Sequence, residues 1–161
     1  VVNALGNVVL PDGTILAGNR EDGGGFKQYK NLMEFVTKDK ANTTVTIVGI
    51  NVDMRAKEYL ERVAHLATHG HVRAIMPVHT SLDGDSMFVF STAEIKQPFN
   101  EMAKYFTDVS VDDHFLVDIV GNAAAEAVQQ SVYDACYSAK TIQLDSASDG
   151  VIPSTSDYKA L

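Results

Sequence analysis

The residues most suggestive of chemistry are three consecutive polar residues, Asn42-Thr43-Thr44, which lie where a polar segment ends and a β-branched run begins. Hydrolases that use their own amino terminus need such a junction, because the chain is cut before a Ser, Thr or Cys. The hydroxyl of the freed residue is then the nucleophile, and its α-amine, with an unperturbed pKa of about 7.7–8.0, can serve as the base. On spacing alone, the same three residues are also typical of an ordinary turn.

A second polar stretch is the acidic loop, which we define as residues 79–85 (HTSLDGD). Its carboxylates Asp83 and Asp85 flank Gly84 just before an apolar run, so the pair could orient an ammonium group. The same pattern suits a turn with Asx hydrogen bonds or a hydrated surface loop. A third candidate is Asn3, a polar residue in an apolar segment, which is either a satisfied structural amide or an oxyanion donor.

Three histidines raise the question of a metal site. His65 and His69 are one helical turn apart, and His71 follows Gly70, which is acceptable spacing for metal ligands. The zincin pattern, however, has a Glu beside its first histidine, and this chain does not. The pattern therefore favours a polar helix face over a metal centre.

Apolar patterning predicts the elements that must position these residues. Strands alternate with long helices, which predicts an α+β or α/β fold. The first strand after the hairpin is expected to be buried on both faces, since it is β-branched almost throughout, and the next strand is expected to be a second buried one. The predicted elements are a hairpin over 1–18, a short helix within 29–36, a strand from Thr43 to Ile50, a helix from Met54 to about His69 that ends at Gly70, a strand from Ser86 to Ser91, a short helix from Phe99 to Phe106, and a long helix from about Val111 to Ala139.

Composition restricts the class of protein. The chain has 161 residues, 45% of them hydrophobic, and a net charge of −8, which disfavours a nucleic-acid partner. Its single cysteine, Cys136, excludes an internal disulfide and is interpreted as a small buried hydrophobe. No apolar run approaches the roughly 20 residues of a membrane helix. We therefore expect no membrane association and a cytoplasmic location.

Several sequence blocks together resemble a known family. They are VVNALGNVVLPDGTILAG at the start, NTTVTIVGINVDM, RAIMPVHTSLDGDSMFVFST, and the alanine-rich AAAEAVQQSVYDACYSAKT. In this order they resemble the DmpA-like aminopeptidase / β-peptidyl aminopeptidase family of self-processing amino-terminal-nucleophile hydrolases. The blocks span most of residues 1–140.

The resemblance implies roles for individual residues. Thr43 falls on the family's nucleophile, so self-cleavage is expected between Asn42 and Thr43. Asp83 and Asp85 fall in the active-site loop, where they would bind the substrate's ammonium group or fix the Thr43 amine. Asn3 falls on an oxyanion-site asparagine. Ser81 is a competing match to Asp83 if the loop is aligned without a gap.

The resemblance also implies a fold and partners. The expected fold is a four-layer αββα sandwich in which 1–42 form the end of an amino-terminal subunit with its linker, and 43–161 form the carboxy-terminal subunit. Family precursors are longer, so an amino-terminal portion of the same precursor is expected to complete the cleft. A small peptide or amino-acid amide is the expected substrate, with no cofactor and a homo-oligomeric assembly. Acyl transfer of the ornithine acetyltransferase type, a non-catalytic remnant and a histidine metal domain are the alternatives.

Overall fold

A computed structural model describes residues 2–21, 25–28, 42–96, 113–143, 151–152 and 154–155. The short helices expected within 29–36 and from Phe99 to Phe106 lie outside the described residues. In chain order the elements are β1 Val2–Asn3, β2 Asn7–Val9, β3 Ile15–Ala17, β4 Thr43–Val52, α1 Lys57–Ala74, β5 Ile75–Met76, β6 Ser86–Ile95, α2 Asp113–Ser138, β7 Ile142–Gln143 and β8 Val151–Ile152. The α+β class is confirmed, while the four-layer arrangement stays a prediction.

The chain forms two compact units. The first contains Val1–Thr44, Val72–Asp85 and Gln130–Leu161, and the second contains Val45–His71 and Ser86–Gln129. The division into subunits at Asn42 and Thr43 concerns a covalent cut rather than packing, so it also stays a prediction.

The first unit is built on the predicted hairpin. Strand β2 pairs antiparallel with β3, and Gly13, with φ of +86°, takes the left-handed backbone that the turn requires. β5 pairs with the other edge of β2, and β1 pairs with the start of β4. The core of this unit consists of Val8, Leu16, Ala74, Ile75, Val132 and Tyr133.

The second unit joins two parallel strands to two helices. β4 and β6 pair in register from Val45↔Ser86 to Ile50↔Ser91. The long predicted helix is confirmed as α2, Asp113–Ser138, within the residues described. The core consists of Met54, Val63, Ala67, Leu116, Val117, Ala124 and Val128. None of the helices in the described residues is long and apolar enough to cross a membrane.

Two predictions about the second unit are wrong. The strands are not buried on both faces. Val48 and Val89 pack against the core, whereas Ile47 and Phe88, a pair on the opposite face of the same two strands, are 68% and 58% exposed. Gly70 does not end α1 but lies inside it. A Cβ at Gly70 would stand 2.4 Å from the Ala125 carbonyl oxygen, so the position has no room for a side chain. This glycine permits close packing of two helices rather than stopping one.

Candidate active site

Thr43 is the first residue of β4 and lies directly opposite Asn3. The β-branched residues that follow Thr43 favour the extended backbone, and β1 pairs with it through Asn3↔Thr43. Directly opposed residues of antiparallel strands project to the same face, so the two side chains share one side of the sheet. The Thr43 hydroxyl donates a 2.5 Å hydrogen bond to the carbonyl oxygen of Gly84 in the acidic loop.

The neighbouring Thr44 faces the other way. Successive residues of a strand point to opposite faces, and Thr44 is fully buried whereas Thr43 is only half-buried. Within the described part of the chain, the Thr44 hydroxyl has no hydrogen-bond partner. Of the two adjacent threonines, Thr43 is therefore the one whose hydroxyl a substrate could reach.

Asp85 anchors the strand that carries Thr43. Its Oδ1 accepts the Thr44 backbone N–H at 2.7 Å, and its Oδ2 accepts the His79 backbone N–H at 3.3 Å. Oδ2 also lies 3.0 Å from the His79 ring Nδ1, and the Asp85 side chain is only 5% exposed. Both oxygens of this carboxylate thus hold neighbouring protein groups, which suits a positioning role.

Sequence reasoning assigned no role to His79. Its backbone has φ of +57°, a left-handed conformation that non-glycine residues seldom adopt and that clusters at functional sites. This conformation lets both the backbone N–H and the ring of His79 face the same Asp85 oxygen. The only sequence signal was the presence of a histidine in the same loop as the two acids.

Asp83 and Ser81 form the outer turn of the acidic loop. Asp83 Oδ2 accepts the Thr80 backbone N–H at 2.9 Å and the Thr80 hydroxyl at 2.8 Å. The Asp83 backbone N–H donates to the Thr80 carbonyl at 3.0 Å, which closes the turn, and Ser81 is exposed at its tip. These contacts match the turn interpretation of Asp83, and they leave its role toward a substrate as a prediction.

The acidic loop also contacts the bond expected to be cut. The Gly84 backbone N–H donates to the Asn42 carbonyl oxygen at 2.9 Å, and Asn42 and Asp83 form a parallel bridge. The structure therefore brings together Asn3, Asn42, Thr43, Asp83 and Asp85, all within the first unit.

The three histidines of α1 do not assemble into a ligand set. His65 and His69 are exposed, whereas His71 is buried and its Nε2 lies 2.8 Å from the Thr46 hydroxyl. Among the residues described, no group of three His, Cys, Asp or Glu side chains could hold a metal ion.

A strand-initial threonine hydroxyl, held by a loop whose carboxylate is buried, defines a candidate nucleophile site. The model of Peptidase family S58 matches residues 9–148, and the chain belongs to this family. The resemblance seen in the sequence is thereby confirmed.

Several curated proteins are similar to parts of this chain. The chain is 30% identical over 157 residues to an uncharacterized aminopeptidase of Mycobacterium leprae (strain TN), an alignment that covers 88% of this chain and 40% of the relative. It is 30% identical over 106 residues to a 6-aminohexanoate-oligomer endohydrolase of Paenarthrobacter ureafaciens, which covers 61% of this chain and 30% of that protein. A putative NylC-analogous protein of Agromyces sp. (strain KY5R) is also 30% identical, with 61% and 34% covered. The chain thus spans 40% or less of the length of these curated relatives.

Proposed function

We propose that this chain carries the nucleophile of a self-cleaving amidase or aminopeptidase, and that this nucleophile is Thr43. One observation carries the proposal: the Thr43 hydroxyl lies at a strand start, opposite Asn3 and hydrogen-bonded to the acidic loop. A cut between Asn42 and Thr43 frees the Thr43 amine, so nucleophile and base then belong to one residue.

Turnover proceeds through an acyl-enzyme. The Thr43 amine takes the hydroxyl proton while Oγ1 attacks the substrate's amide carbonyl, and the developing oxyanion accepts hydrogen bonds from Asn3 and backbone N–H groups. The amine returns the proton to the leaving nitrogen as the C–N bond breaks. Water then hydrolyses the ester on Thr43 and restores the free hydroxyl.

The acids of the loop have different roles in this scheme. Asp85 is engaged on both oxygens and nearly buried, so it fixes the backbone beside Thr43 and, through it, the direction of the hydroxyl. The hydrogen bonds of the Asp83 side chain to the described residues all go to Oδ2, within the turn. Of the two carboxylates, Asp83 is therefore the better placed to meet the ammonium group of a substrate.

The substrate class follows from the relatives' names. An aminopeptidase and a 6-aminohexanoate-oligomer endohydrolase both hydrolyse amide bonds, so a small peptide, an amino-acid amide or an amino-acid oligomer is the proposed substrate. An amino-terminal portion of the same precursor would complete the cleft and the four-layer αββα sandwich, and the assembled protein would be a homo-oligomer. No step of this mechanism uses a metal or a cofactor.

Two isosteric variants test the proposal in the complete gene product. Thr43→Val removes the reachable hydroxyl and should abolish hydrolysis of amino-acid amides. Thr44→Val, at the next residue, removes a buried hydroxyl without a partner among the described residues and should keep turnover. Hydrolysis that persists in Thr43→Val would refute the assignment. Transfer of the acyl group to an added amine, in place of hydrolysis, would point instead to an acyltransferase.

A further inference from the structure

The backbone of a single residue, Gly84, contacts both partners of the proposed self-cleavage. Its carbonyl oxygen accepts the Thr43 hydroxyl at 2.5 Å, and its N–H donates to the Asn42 carbonyl oxygen at 2.9 Å. The Asn42 carbonyl belongs to the bond that the proposed function requires to be cut. Nucleophile and electrophile are thus held by one residue of the acidic loop.

We propose that the Gly84 N–H is the oxyanion donor for the cut between Asn42 and Thr43, and that the Gly84 carbonyl aims the Thr43 hydroxyl. The inference rests on the proposed function. An oxyanion donor should lie about 2.7–3.1 Å from the position that the oxyanion occupies. The Gly84 nitrogen already lies 2.9 Å from the Asn42 carbonyl oxygen before the attack, so the donor is in place when charge develops on that oxygen.

The chemical step is an acyl shift from nitrogen to oxygen. Thr43 Oγ1 attacks the Asn42 carbonyl carbon, the carbonyl oxygen becomes an oxyanion, and the C–N bond to Thr43 then breaks. The hydroxyl proton ends on the Thr43 nitrogen, and Asn42 is left as an ester on Oγ1. Water hydrolyses this ester to the Asn42 carboxylate and the Thr43 hydroxyl. The Gly84 N–H keeps its proton throughout and supplies only a hydrogen bond to the oxyanion.

The absence of a side chain at Gly84 is part of this arrangement. A Cβ built on Gly84 would lie 3.2 Å from Thr43 Oγ1 and 3.5 Å from Thr43 Cβ. A larger residue would therefore crowd the nucleophile, whereas glycine lets the loop backbone approach it closely.

The donor for self-cleavage is distinct from the one proposed for turnover. The Gly84 N–H points to the Asn42 carbonyl, while Asn3 lies across the strand pair and its side chain shares a face with that of Thr43. Loss of the Gly84 donor should therefore slow processing, and loss of the Asn3 amide should slow hydrolysis by enzyme that is already cut.

A backbone ester tests the donor directly. Incorporating glycolic acid in place of Gly84 in the complete gene product removes the N–H and leaves the side chain unchanged. Self-cleavage, followed by intact mass, should slow by about 10²–10³-fold, the usual effect of removing one oxyanion donor. The matched control replaces Leu82 by its α-hydroxy acid, which removes an N–H that donates to the Thr80 hydroxyl at 3.3 Å in the same loop. This control should cleave at nearly the normal rate.

The outcomes separate this inference from the proposed function. If the Gly84 ester cleaves as fast as the Leu82 ester, and Thr43→Val stays whole, the assignment of Gly84 as the oxyanion donor is wrong, whereas the assignment of Thr43 as the nucleophile is kept. If Thr43→Val is cut at the same bond, or the unmodified protein is never cut, both proposals fall. Should the Gly84 ester not fold, Gly84→Ala tests the other half of the inference, the aiming of the hydroxyl by the Gly84 carbonyl. Alanine keeps the N–H but crowds Oγ1, so the cut should slow, and a normal rate would overturn the aiming role.

Discussion

Asp85 accepts the backbone N–H of Thr44 at 2.7 Å, so a nearly buried carboxylate holds the residue that follows the candidate nucleophile. The amide of an asparagine can accept at one end only, and its NH₂ group would then face either the Thr44 or the His79 donor. We therefore expect Asp85→Asn to lower kcat/KM of the cut enzyme by about 10-fold or more, since about 1.4 kcal/mol corresponds to one decade.

Glu61→Gln is the control for this prediction. Glu61 lies on α1, is 57% exposed and pairs with Lys57 at 3.0 Å, so its replacement should leave kcat/KM nearly unchanged. Kinetics should be measured on samples shown by mass to be fully cleaved. Equal behaviour of Asp85→Asn and Glu61→Gln would mean that the acidic loop is only a turn.

Asn3 should matter to turnover and not to processing. Its amide shares a face with the Thr43 side chain, and removing one oxyanion donor typically lowers kcat by about 10²–10³-fold. We expect Asn3→Ala to show that loss in the cut enzyme while self-cleavage continues. Asn122→Ala makes the same change on the exposed side of α2, where Asn122 bonds Glu126, and should be neutral. Normal kcat in Asn3→Ala would assign Asn3 to structure alone.

Gly70 should resist replacement although it lies inside a helix. Alanine has a helix propensity about 1 kcal/mol better than glycine, but the added Cβ would meet the Ala125 oxygen at 2.4 Å and Val128 Cβ at 2.7 Å. Overpacking of this kind costs about 1–3 kcal/mol, so Gly70→Ala should lower the urea midpoint. Ala123→Gly, at an exposed site of α2, shows how far the difference in helix propensity between alanine and glycine shifts the urea midpoint. A higher midpoint for Gly70→Ala would show that the two helices have room between them.

Cys136 should react slowly with thiol reagents in the native protein. Burial raises the pKa of its thiol, so less of the reactive thiolate is present at any given pH than for an exposed cysteine. Alkylation by iodoacetamide at pH 8 should be slower than in urea-unfolded protein and should speed up as the pH rises toward the higher native pKa. Cys136→Ser should retain amide hydrolysis. Rapid native alkylation accompanied by loss of activity would instead place this thiol in the site.

The sequence predicted the positions of the helices and strands better than it predicted which face of a strand is buried. The hairpin, the strand from Thr43 and the long helix follow from turn residues, β-branching and helical spacing, which are local signals. The exposed face of β4 could not be predicted, because its residues are apolar on both sides and only packing decides which side is covered. The prediction that α1 ends at Gly70 was wrong for a similar reason, because the residues that pack on Gly70, Ala125 and Val128, are distant in sequence.

The candidate site was reached through resemblance rather than through spacing. Asn3 lies about forty residues before Thr43, and Asp85 lies about forty residues after it, so no local pattern brings the three together. The contact of His79 with Asp85 depends on a left-handed backbone at His79, which the sequence of the loop does not reveal.

The most direct test of the central claim is the intact mass of the complete gene product, measured with and without the substitution Thr43→Ala. We predict a cut between Asn42 and Thr43, which gives a fragment that begins with Thr43 and carries a free α-amine, and we predict that the Thr43→Ala protein stays whole. A cut at another bond, or the same cut in the Thr43→Ala protein, would contradict the assignment of Thr43 as the self-cleaving nucleophile.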